Sequence, residues 1–405
     1  MVLVLVAPGQ GAQTPGFLTP WLDVPGVADR LTWWSAVADL DLIHYGTEAD
    51  ADTIRDTAIA QPLLVASGIA AALALFPHPA DAFRQVGAAA GHSVGELTAA
   101  AGTGAITAES ALTLVRERGR AMAAAAEVTR TSMTAVLGGD LEEVLGKIAE
   151  HGLTPANNNG PGQIVAAGTV EQLAAFEADP PAGARLRALS VAGAFHTEHM
   201  SPAVDRLTQL SKAVTTQDPR VRYISNRDGR VVHSGREIVQ RIVSQIANPV
   251  RWDLCMDTMR ELGVTGILEV PPAGTLTGIA KRALKGVETF ALKTPDQLDA
   301  AREFVAKHAE PVHNPLNAAP TWRLLVAPFS GLVQRGHVEE GAQLARGEHV
   351  VTVVSRREEQ KLFAEHGGTV LEWLVEDGDP VSPGQPLIRI HPRAESFHSN
   401  AEAFH

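Results

Sequence analysis

The five residues Gly91-His92-Ser93-Val94-Gly95 have the spacing of a serine nucleophile held on a tight turn. In such a turn the hydroxyl is exposed between a strand and a helix, and the flanking glycines remove side chains that would collide there. The start of the helix also supplies backbone N–H groups for an oxyanion. The alternative is an ordinary glycine-rich turn. The flanking sequence predicts a strand before the turn and a helix after it, so we interpret Ser93 as a candidate nucleophile.

A serine nucleophile needs a base, and the chain contains 15 histidines. His92 is adjacent to the serine, but at such a turn its side chain points elsewhere. His196 follows a predicted strand in the segment 193–200, with His199 as its local competitor. Without further context, a surface histidine or a satisfied core histidine is the more common situation.

Alternating strand and helix patterns along the first 300 residues predict an α/β fold that positions these groups. The predicted strands of the core cover 2–6, 85–90 and 266–270, and its predicted helices cover 60–76, 96–101, 108–126 and 275–284. Between them, a strand–helix–strand–helix–strand pattern in the region 128–192 predicts a small inserted α+β subdomain.

Composition excludes several function classes. The 405 residues carry a net charge of −12, whereas a nucleic-acid-binding protein normally has a basic domain. The single cysteine, Cys255, excludes an internal disulfide and a thiolate zinc site. The longest apolar stretch, 63–76, is shorter than the roughly 20 residues of a spanning helix. We therefore expect a cytoplasmic protein that binds neither nucleic acid nor a membrane.

The C-terminal part differs in composition and contains a repeat. Prolines and asparagines at 308–320 predict a linker. Beyond it, residues 327–353 match residues 364–390 at an offset of 37, with glycines at 331, 341 and 347 aligned with those at 368, 378 and 384. Short strands between glycine turns predict two β halves packed as a sandwich or flattened barrel over 321–392. We expect the tail 393–405 to be disordered.

Residues 1 to about 300 resemble the malonyl-CoA:acyl carrier protein transacylases of fatty-acid and polyketide synthesis. Seven motifs match in order, although each is weak alone. They are Pro8-Gly9-Gln10-Gly11-Ala12-Gln13, Gln61-Pro62, the segment from Gly91 to Glu96, Arg118-Gly119-Arg120-Ala121-Met122, the loop from Asn157 to Gln163, the segment from Ala194 to Met200, and Asn248-Pro249-Val250. The resemblance implies an α/β-hydrolase-like acyltransferase core (1–127 and 193–307) with a ferredoxin-like subdomain (128–192).

The resemblance also implies catalytic roles. Ser93 attacks the thioester of malonyl-CoA, and His196 takes the serine proton and later protonates the leaving thiolate. The backbone carbonyl of Asn248 holds the imidazole in place of the usual carboxylate. The backbone N–H groups of Gln10 and Val94 bind the oxyanion. This chemistry passes the acyl group between two thiols without ATP, metal or another cofactor.

Five further residues acquire substrate-binding roles by the same resemblance. The Arg118 guanidinium clamps the free malonyl carboxylate and thereby selects against monocarboxylates. Gln61 supports that clamp, and Asn159 and Gln163 belong to the asparagine-rich loop. Phe195 fills the space that an α-methyl group needs, which predicts a preference for malonyl over methylmalonyl units. Without the resemblance, Arg118 would be interpreted as a solvated helix charge.

The expected acceptor, holo acyl carrier protein, is acidic, and so is this chain, so docking requires a local basic patch. Lys281, Arg282 and Lys285 on the last helix of the core are candidates, as are Arg185 and Arg187. One departure lies nearby, since the family's Gly-Pro-Gly is replaced by Pro271-Pro272-Ala273-Gly274.

Residues 321–392 resemble biotinyl/lipoyl attachment domains, which carry the cofactor on a lysine at a hairpin tip. By repeat register the tip is Ser355-Arg356-Arg357-Glu358, and Lys361 is too late in the sequence. An arginine is not a usable nucleophile at neutral pH, so we expect no biotin or lipoate attachment. Docking of the carrier protein, dimerisation, and tethering to a synthase or carboxylase remain open as roles for this domain.

Two other functions compete with malonyl transfer. An acyl hydrolase that clears stalled carrier proteins could use the same nucleophile, but the retained Arg118 argues against it. A non-catalytic docking protein could use the C-terminal domain alone, but the complete set of Ser93, His196, Gln10 and Arg118 argues against that.

Overall fold

The computed structural model describes residues 2–160, 162–191, 193–309, 323–365 and 367–391. The chain divides into two compact units, Met1–Asn317 and Ala318–His405. Most of the predicted linker and the whole predicted tail lie outside the described residues. His308 is an exception, because it is the last residue of a helix rather than the first residue of a linker.

The described residues form thirteen α-helices and nineteen strands. The helices are α1 (Val27–Ala38), α2 (Leu42–Thr47), α3 (Thr57–Leu75), α4 (Pro79–Gln85), α5 (Gly95–Gly102), α6 (Ala108–Val128), α7 (Leu141–Glu150), α8 (Val170–Ala178), α9 (Ser201–Ser211), α10 (Gly235–Gln245), α11 (Trp252–Glu261), α12 (Thr275–Ala283) and α13 (Leu298–His308). The strands of the first unit are β1 (Leu3–Ala7), β2 (Ala88–Gly91), β3 (Thr131–Gly138), β4 (Thr154–Asn158), β5 (Gln163–Thr169), β6 (Ala184–Ala188), β7 (Arg222–Ile224), β8 (Val231–Val232), β9 (Val250–Arg251), β10 (Gly266–Glu269) and β11 (Glu288–Ala291). The strands of the second unit are β12 (Arg323–Val326), β13 (Gly331–Arg335), β14 (Gln343–Leu344), β15 (Glu348–Val354), β16 (Glu359–Ala364), β17 (Gly368–Trp373), β18 (Pro380–Val381) and β19 (Pro386–His391).

A six-stranded sheet in the order β11-β10-β1-β2-β7-β8 organises the first unit, and all neighbours pair in parallel except β7 with β8. Alternate residues of β1 face opposite layers: Leu3 packs in the core that contains α3 and α6, whereas Val4 and Val6 pack against α11 and α12. The sheet is therefore buried on both faces, as its apolar strands require. This confirms the mixed α/β fold expected from the sequence.

The parallel register brings the ends of β1 and β2 together, because Ala7 pairs with Gly91. The loops that follow the two strands therefore emerge side by side at the carboxyl edge of the sheet. In open α/β sheets this edge is where ligands bind.

One helix among the described residues, α3, is long and apolar enough to cross a membrane by length and composition. It packs against α6, and most of its residues are buried in the core of the first unit. A core helix passes the same test of length and composition.

The inserted segment forms a second sheet in the order β6-β3-β5-β4-β9. Its first four strands are antiparallel, and β9 joins in parallel beside β4. The sequence did not predict β4, because a proline and two asparagines are disfavoured in strands. The segment thus has a strand–helix–strand–strand–helix–strand order, with α7 and α8 as its helices.

The second unit contains two four-stranded antiparallel sheets, β12-β19-β17-β14 and β16-β15-β13-β18. The order follows the 37-residue repeat. Each of the strands β12 to β15 has its counterpart in β16 to β19, and exchanging the counterparts turns one sheet order into the other. Its own core includes Val333, Val351 and Ile388.

Candidate active site

Ser93 lies on the turn between β2 and α5, with a backbone φ of +54°. That left-handed conformation is costly for a residue with a side chain and is found mainly where function requires it. The turn is too tight for side chains at its flanks. A Cβ on Gly91 would overlap the backbone of Gly95, and a Cβ on Gly95 would overlap the carbonyl of Ala7. The two glycines therefore allow the turn to form directly beside β1.

His196 contacts the nucleophile as predicted, since its Nε2 lies 2.7 Å from the Ser93 Oγ. Its Nδ1 lies 2.8 Å from the backbone carbonyl oxygen of Gln245. A carbonyl only accepts, so Nδ1 carries the proton and Nε2 is free to accept the serine proton. His196 also has a positive φ, +62°, and is 3% exposed.

The predicted role of the Asn248 carbonyl is wrong. Gln245 is the last residue of α10, and the carbonyls of a last helical turn have no partner within their helix. The Gln245 carbonyl is therefore available to the imidazole. Asn248 is exposed three residues later, and its Nδ2 donates to the carbonyl of Ser244 at 2.7 Å.

Burial controls the protonation of His196. Removal from water, and secondly the positive charge of Arg118, lower its pKa to about 3. The imidazole is consequently neutral at physiological pH, which is the form that acts as a general base.

Arg118 reaches the same hydroxyl from α6. Its Nη2 donates to the Ser93 Oγ at 3.3 Å and to the Gln245 Oε1 at 2.9 Å, and its Nη1 donates to the Gln61 Oε1 at 2.6 Å. The side chain is 1% exposed, and its Nε is buried without a partner among the described residues. Burial lowers its pKa to about 10, with Glu96 opposing the change, so the guanidinium remains charged at pH 7. The pairing of Arg118 with Gln61 agrees with the sequence prediction.

A buried polar network supports the turn from below. The Asn226 Oδ1 accepts from the Ser93 backbone N–H at 2.9 Å, and the Asn226 Nδ2 donates to the Gly91 carbonyl at 2.7 Å. The Glu96 carboxylate accepts from the Asn226 backbone N–H at 2.7 Å. Sequence reasoning missed Asn226 and Gln245, because neither lies in a segment whose spacing predicts chemistry. Glu96 closes the matched hexapeptide, but no role was assigned to it.

The two predicted oxyanion donors lie at the edge where β1 and β2 end. Gln10 follows β1, and its side chain donates to the Arg55 carbonyl and the Thr57 Oγ1, both at 3.2 Å. Val94 is buried directly before α5. Among the described residues, neither backbone N–H has an acceptor, so both are available to an oxyanion.

The chain is similar in sequence to known proteins. The model of the acyl transferase domain family matches residues 4–309. The chain belongs to the acyl transferase family. The malonyl CoA-acyl carrier protein transacylase of Mycobacterium tuberculosis is 51% identical over 298 residues, which are 74% of this chain and 98% of that protein. The Bacillus subtilis protein of the same name is 31% identical over 311 residues, which are 74% of this chain and 96% of that protein.

Solved structures agree with this assignment. The crystal structure of MCAT from Mycobacterium tuberculosis superposes on this acyl transferase with a TM-score of 0.72 at 50% identity, covering 75% of this chain and all of that one. A complex described as a type II PKS acyl-carrier protein with its malonyl-transacylase superposes with a TM-score of 0.68 at 28% identity, covering 75% and 99%. The second unit lies outside the residues matched by the family model.

Three further residues predicted to bind substrate, Phe195, Asn159 and Gln163, lie in three different environments in this acyl transferase. Phe195 is buried beside His196 in a cluster that includes Met122. Asn159 is also buried, and its Oδ1 lies 2.8 Å from the His92 Nε2, so its contact is with the turn. The Gln163 side chain lines a cavity of about 410 Å³ and accepts from an Arg282 nitrogen at 2.9 Å.

The predicted docking residues are exposed. Lys281 and Arg282 lie in the last turn of α12, and Lys285 follows the helix. Arg185 and Arg187 are exposed on β6. None of the five forms an ion pair within the described parts of the chain. No carboxylate there neutralises the five charges, and the hydrogen bond from Arg282 to the uncharged Gln163 amide leaves the charge of Arg282 uncompensated.

Proposed function

We propose that this acyl transferase moves a malonyl group from malonyl-CoA to the phosphopantetheine thiol of holo acyl carrier protein. The group is carried on Ser93 between the two thiols. The observation that carries the proposal is that one hydroxyl, the Ser93 Oγ, contacts both a neutral imidazole and a buried guanidinium. The names of the relatives support the same reaction.

The first half-reaction acylates the serine. As Oγ bonds to the thioester carbon, its proton passes to the His196 Nε2, and the carbonyl oxygen becomes an oxyanion held by the N–H groups of Gln10 and Val94. The intermediate collapses by breaking the carbon–sulfur bond, and the imidazolium returns the proton to the CoA thiolate. The Gln245 carbonyl stabilises the imidazolium through Nδ1.

The second half-reaction runs in reverse with a different thiol. His196 takes the proton of the carrier thiol, the sulfur attacks the malonyl ester, and Ser93 leaves and recovers the proton. One thioester replaces another, so the exchange is nearly balanced in free energy. The two thiols use one pocket in turn, which gives ping-pong kinetics.

Arg118 selects the acyl group by its distance from the reacting atom. One methylene separates the free carboxylate of a malonyl group from its reacting carbonyl, so the cation that binds this carboxylate must lie beside the nucleophile. The Arg118 Nη2 lies 3.3 Å from the Ser93 Oγ. An acetyl group would leave the buried cation unpaired, which is costly.

We assign the types of the subdomains and of the C-terminal domain by the family resemblances of the sequence. Residues 128–192 form a ferredoxin-like subdomain within an α/β-hydrolase-like core, and 321–392 form a biotinyl/lipoyl-like domain. At the predicted tip, the Ser355 N–H donates to the Glu358 carbonyl at 2.8 Å, closing a turn that contains Arg356 and Arg357. Lys361 lies in β16 instead. We therefore expect the domain to carry no biotin or lipoate and to serve in carrier-protein docking, in dimerisation or in tethering to a synthase or carboxylase in the cytoplasm.

The test is an incubation with labelled malonyl-CoA and holo acyl carrier protein, comparing the wild type with Ser93→Ala. Label should reach the carrier with the wild type alone. Release of free malonate without labelled carrier would instead identify a hydrolase, and no turnover of either kind would identify a docking protein.

A further inference from the structure

The Gln245 side chain bridges two groups of opposite hydrogen-bonding character. Its Oε1 accepts from the Arg118 Nη2 at 2.9 Å, and its Nε2 donates to the Glu96 Oε2 at 2.6 Å. The same Nε2 lies 3.1 Å from the Asn226 Oδ1 and 3.1 Å from the Ser93 carbonyl oxygen. At 3% exposure, the Gln245 side chain is shielded from bulk solvent, so these four groups are its hydrogen-bonding environment.

The orientation of this amide follows from its neighbours. A guanidinium only donates and an ionised carboxylate only accepts. The oxygen of Gln245 must therefore face Arg118, and its nitrogen must face Glu96. Glu96 itself is 1% exposed and is fixed by the Asn226 backbone N–H, which donates to its other oxygen at 2.7 Å.

We propose that Glu96 is a positioning residue for acyl-group selection: its buried carboxylate fixes which end of the Gln245 amide faces Arg118, and so holds the guanidinium in place for the carboxylate of the acyl group. This inference rests on the proposed function. Glu96 acts through Gln245 and does not touch the reacting atoms.

Replacing Glu96 by glutamine, its uncharged isostere, tests this positioning role. A glutamine at position 96 has one acceptor oxygen, which the Asn226 backbone N–H takes, so its amide nitrogen faces the Gln245 side chain. Unless the Gln245 amide flips, two donors meet at this contact. In the flipped orientation the Gln245 nitrogen faces Arg118, and two donors then oppose each other in a buried site. The guanidinium shifts from its place, and binding of the acyl carboxylate weakens while the Ser93–His196 contact remains.

The ionisation of Glu96 predicts a second effect, which is a pH dependence of the selectivity for malonyl groups. Burial raises its pKa to about 7, opposed by the hydrogen bonds from Asn226 and Gln245, by the nearby Tyr223 hydroxyl and by the charge of Arg118. Arg118 stays charged, and burial keeps the Tyr223 hydroxyl and the Cys255 thiol, which also face Glu96, in their neutral forms at this pH. His196 affects all acyl groups equally. Selectivity for malonyl should therefore rise with pH through about 7, as Glu96 loses its proton.

The test measures the ratio of kcat/KM for malonyl-CoA to kcat/KM for acetyl-CoA in single-turnover acylation of Ser93. Glu96→Gln should lower this ratio by at least about tenfold, the effect of one misdirected charged hydrogen bond. It should also abolish the rise of the ratio with pH. An unchanged ratio in a folded Glu96→Gln protein would overturn the proposal.

Glu269→Gln is the matched control. Glu269 is another fully buried carboxylate, with four hydrogen bonds from the start of α12, namely from Gly274, Leu276 and twice from Thr277. This variant should lower the melting temperature and leave the ratio unchanged. A ratio that falls equally in both variants would assign the effect to general destabilisation and contradict the proposal.

Gln245→Met keeps the proposal testable if Glu96→Gln does not fold. It retains the backbone carbonyl that holds His196 but removes the amide, so the ratio should fall as in Glu96→Gln. A ratio equal to that of the wild type would count against the proposal. The wild type separates this inference from the proposed function, because a wild type that loads no malonyl group contradicts the function itself.

Discussion

Phe195, which has a bulky aromatic ring, directly precedes His196 in the chain. The side chain is 6% exposed and packs in the cluster that contains Met122. Under the proposed function, we expect a methyl branch on the α-carbon of the acyl group to need the space that this ring occupies. Small volume differences of this kind typically change selectivity by about 10- to 200-fold.

Phe195→Ser should accordingly raise the rate of methylmalonyl loading relative to malonyl loading. The measurement is competition between malonyl-CoA and methylmalonyl-CoA, with the two acyl-enzymes resolved by mass. Equal loading ratios in the variant and the wild type would contradict the role of the ring.

The low pKa of His196 predicts how the rate of Ser93 acylation depends on pH. Burial and the charge of Arg118 lower its pKa to about 3, so the neutral base persists as pH falls through the ordinary histidine range near 6.5. The test uses an activated ester without a free carboxylate, so the ionisation of Glu96 does not affect how this substrate binds. The rate at which the ester acylates Ser93 should show no inflection near pH 6.5. A rate that halves near that pH would contradict the assignment.

The same shift affects stability in a defined direction. The unfolded chain binds a proton at His196 below about pH 6.5, whereas the native state does not until about pH 3. Unfolding is therefore favoured progressively as pH falls through this window. His196→Gln should reduce the loss of stability between about pH 6.5 and about pH 5, measured by denaturant unfolding.

At the scale of elements, α12 presents the basic residues that an acidic carrier would meet. Glu269 fixes the start of the helix, and Lys281 and Arg282 are exposed in its last turn. Reversing both charges should raise KM for the carrier protein several-fold and leave hydrolysis of the malonyl-enzyme unchanged. Lys212→Glu, at an exposed lysine after α9, is the control variant. An unchanged KM in the double variant would exclude α12 from docking.

The elements that the sequence predicted are those with strong local signals. The apolar strand β1, the helices α3 and α6, and the glycine-flanked turn at Ser93 each follow from residues close together in the chain. Strand β4 was missed because its proline and asparagines oppose local strand propensity, and only pairing with β5 makes it a strand.

The site was predictable to the same extent. Ser93, His196 and Arg118 lie in matched motifs and meet as expected. The partner of the imidazole was misplaced by three residues: the resemblance implied the carbonyl of Asn248, whereas the last turn of α10 presents the free carbonyl of Gln245. Asn226 reaches the turn through the pairing of β2 with β7, which no local pattern reveals.

At the scale of the whole molecule, the second unit adds a repeat-built β domain to a catalytic unit that matches the acyl transferase family without it. If the second unit is the proposed biotinyl/lipoyl-like domain, its turn at 355–358 carries arginines at the position where a modified lysine would be needed. A full-length protein produced together with a biotin ligase and a lipoate ligase should keep its unmodified intact mass. A mass increase of one biotinyl or lipoyl group would contradict this prediction.

The central claim is that Ser93 carries the malonyl group between two thiols, and the most direct measurement isolates that intermediate. The protein is mixed with malonyl-CoA, freed of small molecules, mapped by peptide mass, and then given holo acyl carrier protein. We predict one malonyl group on the peptide that contains Ser93, and its transfer to the carrier when the carrier is added. A malonyl-enzyme labelled elsewhere, or one that loses its label to water and never to the carrier, would contradict the account.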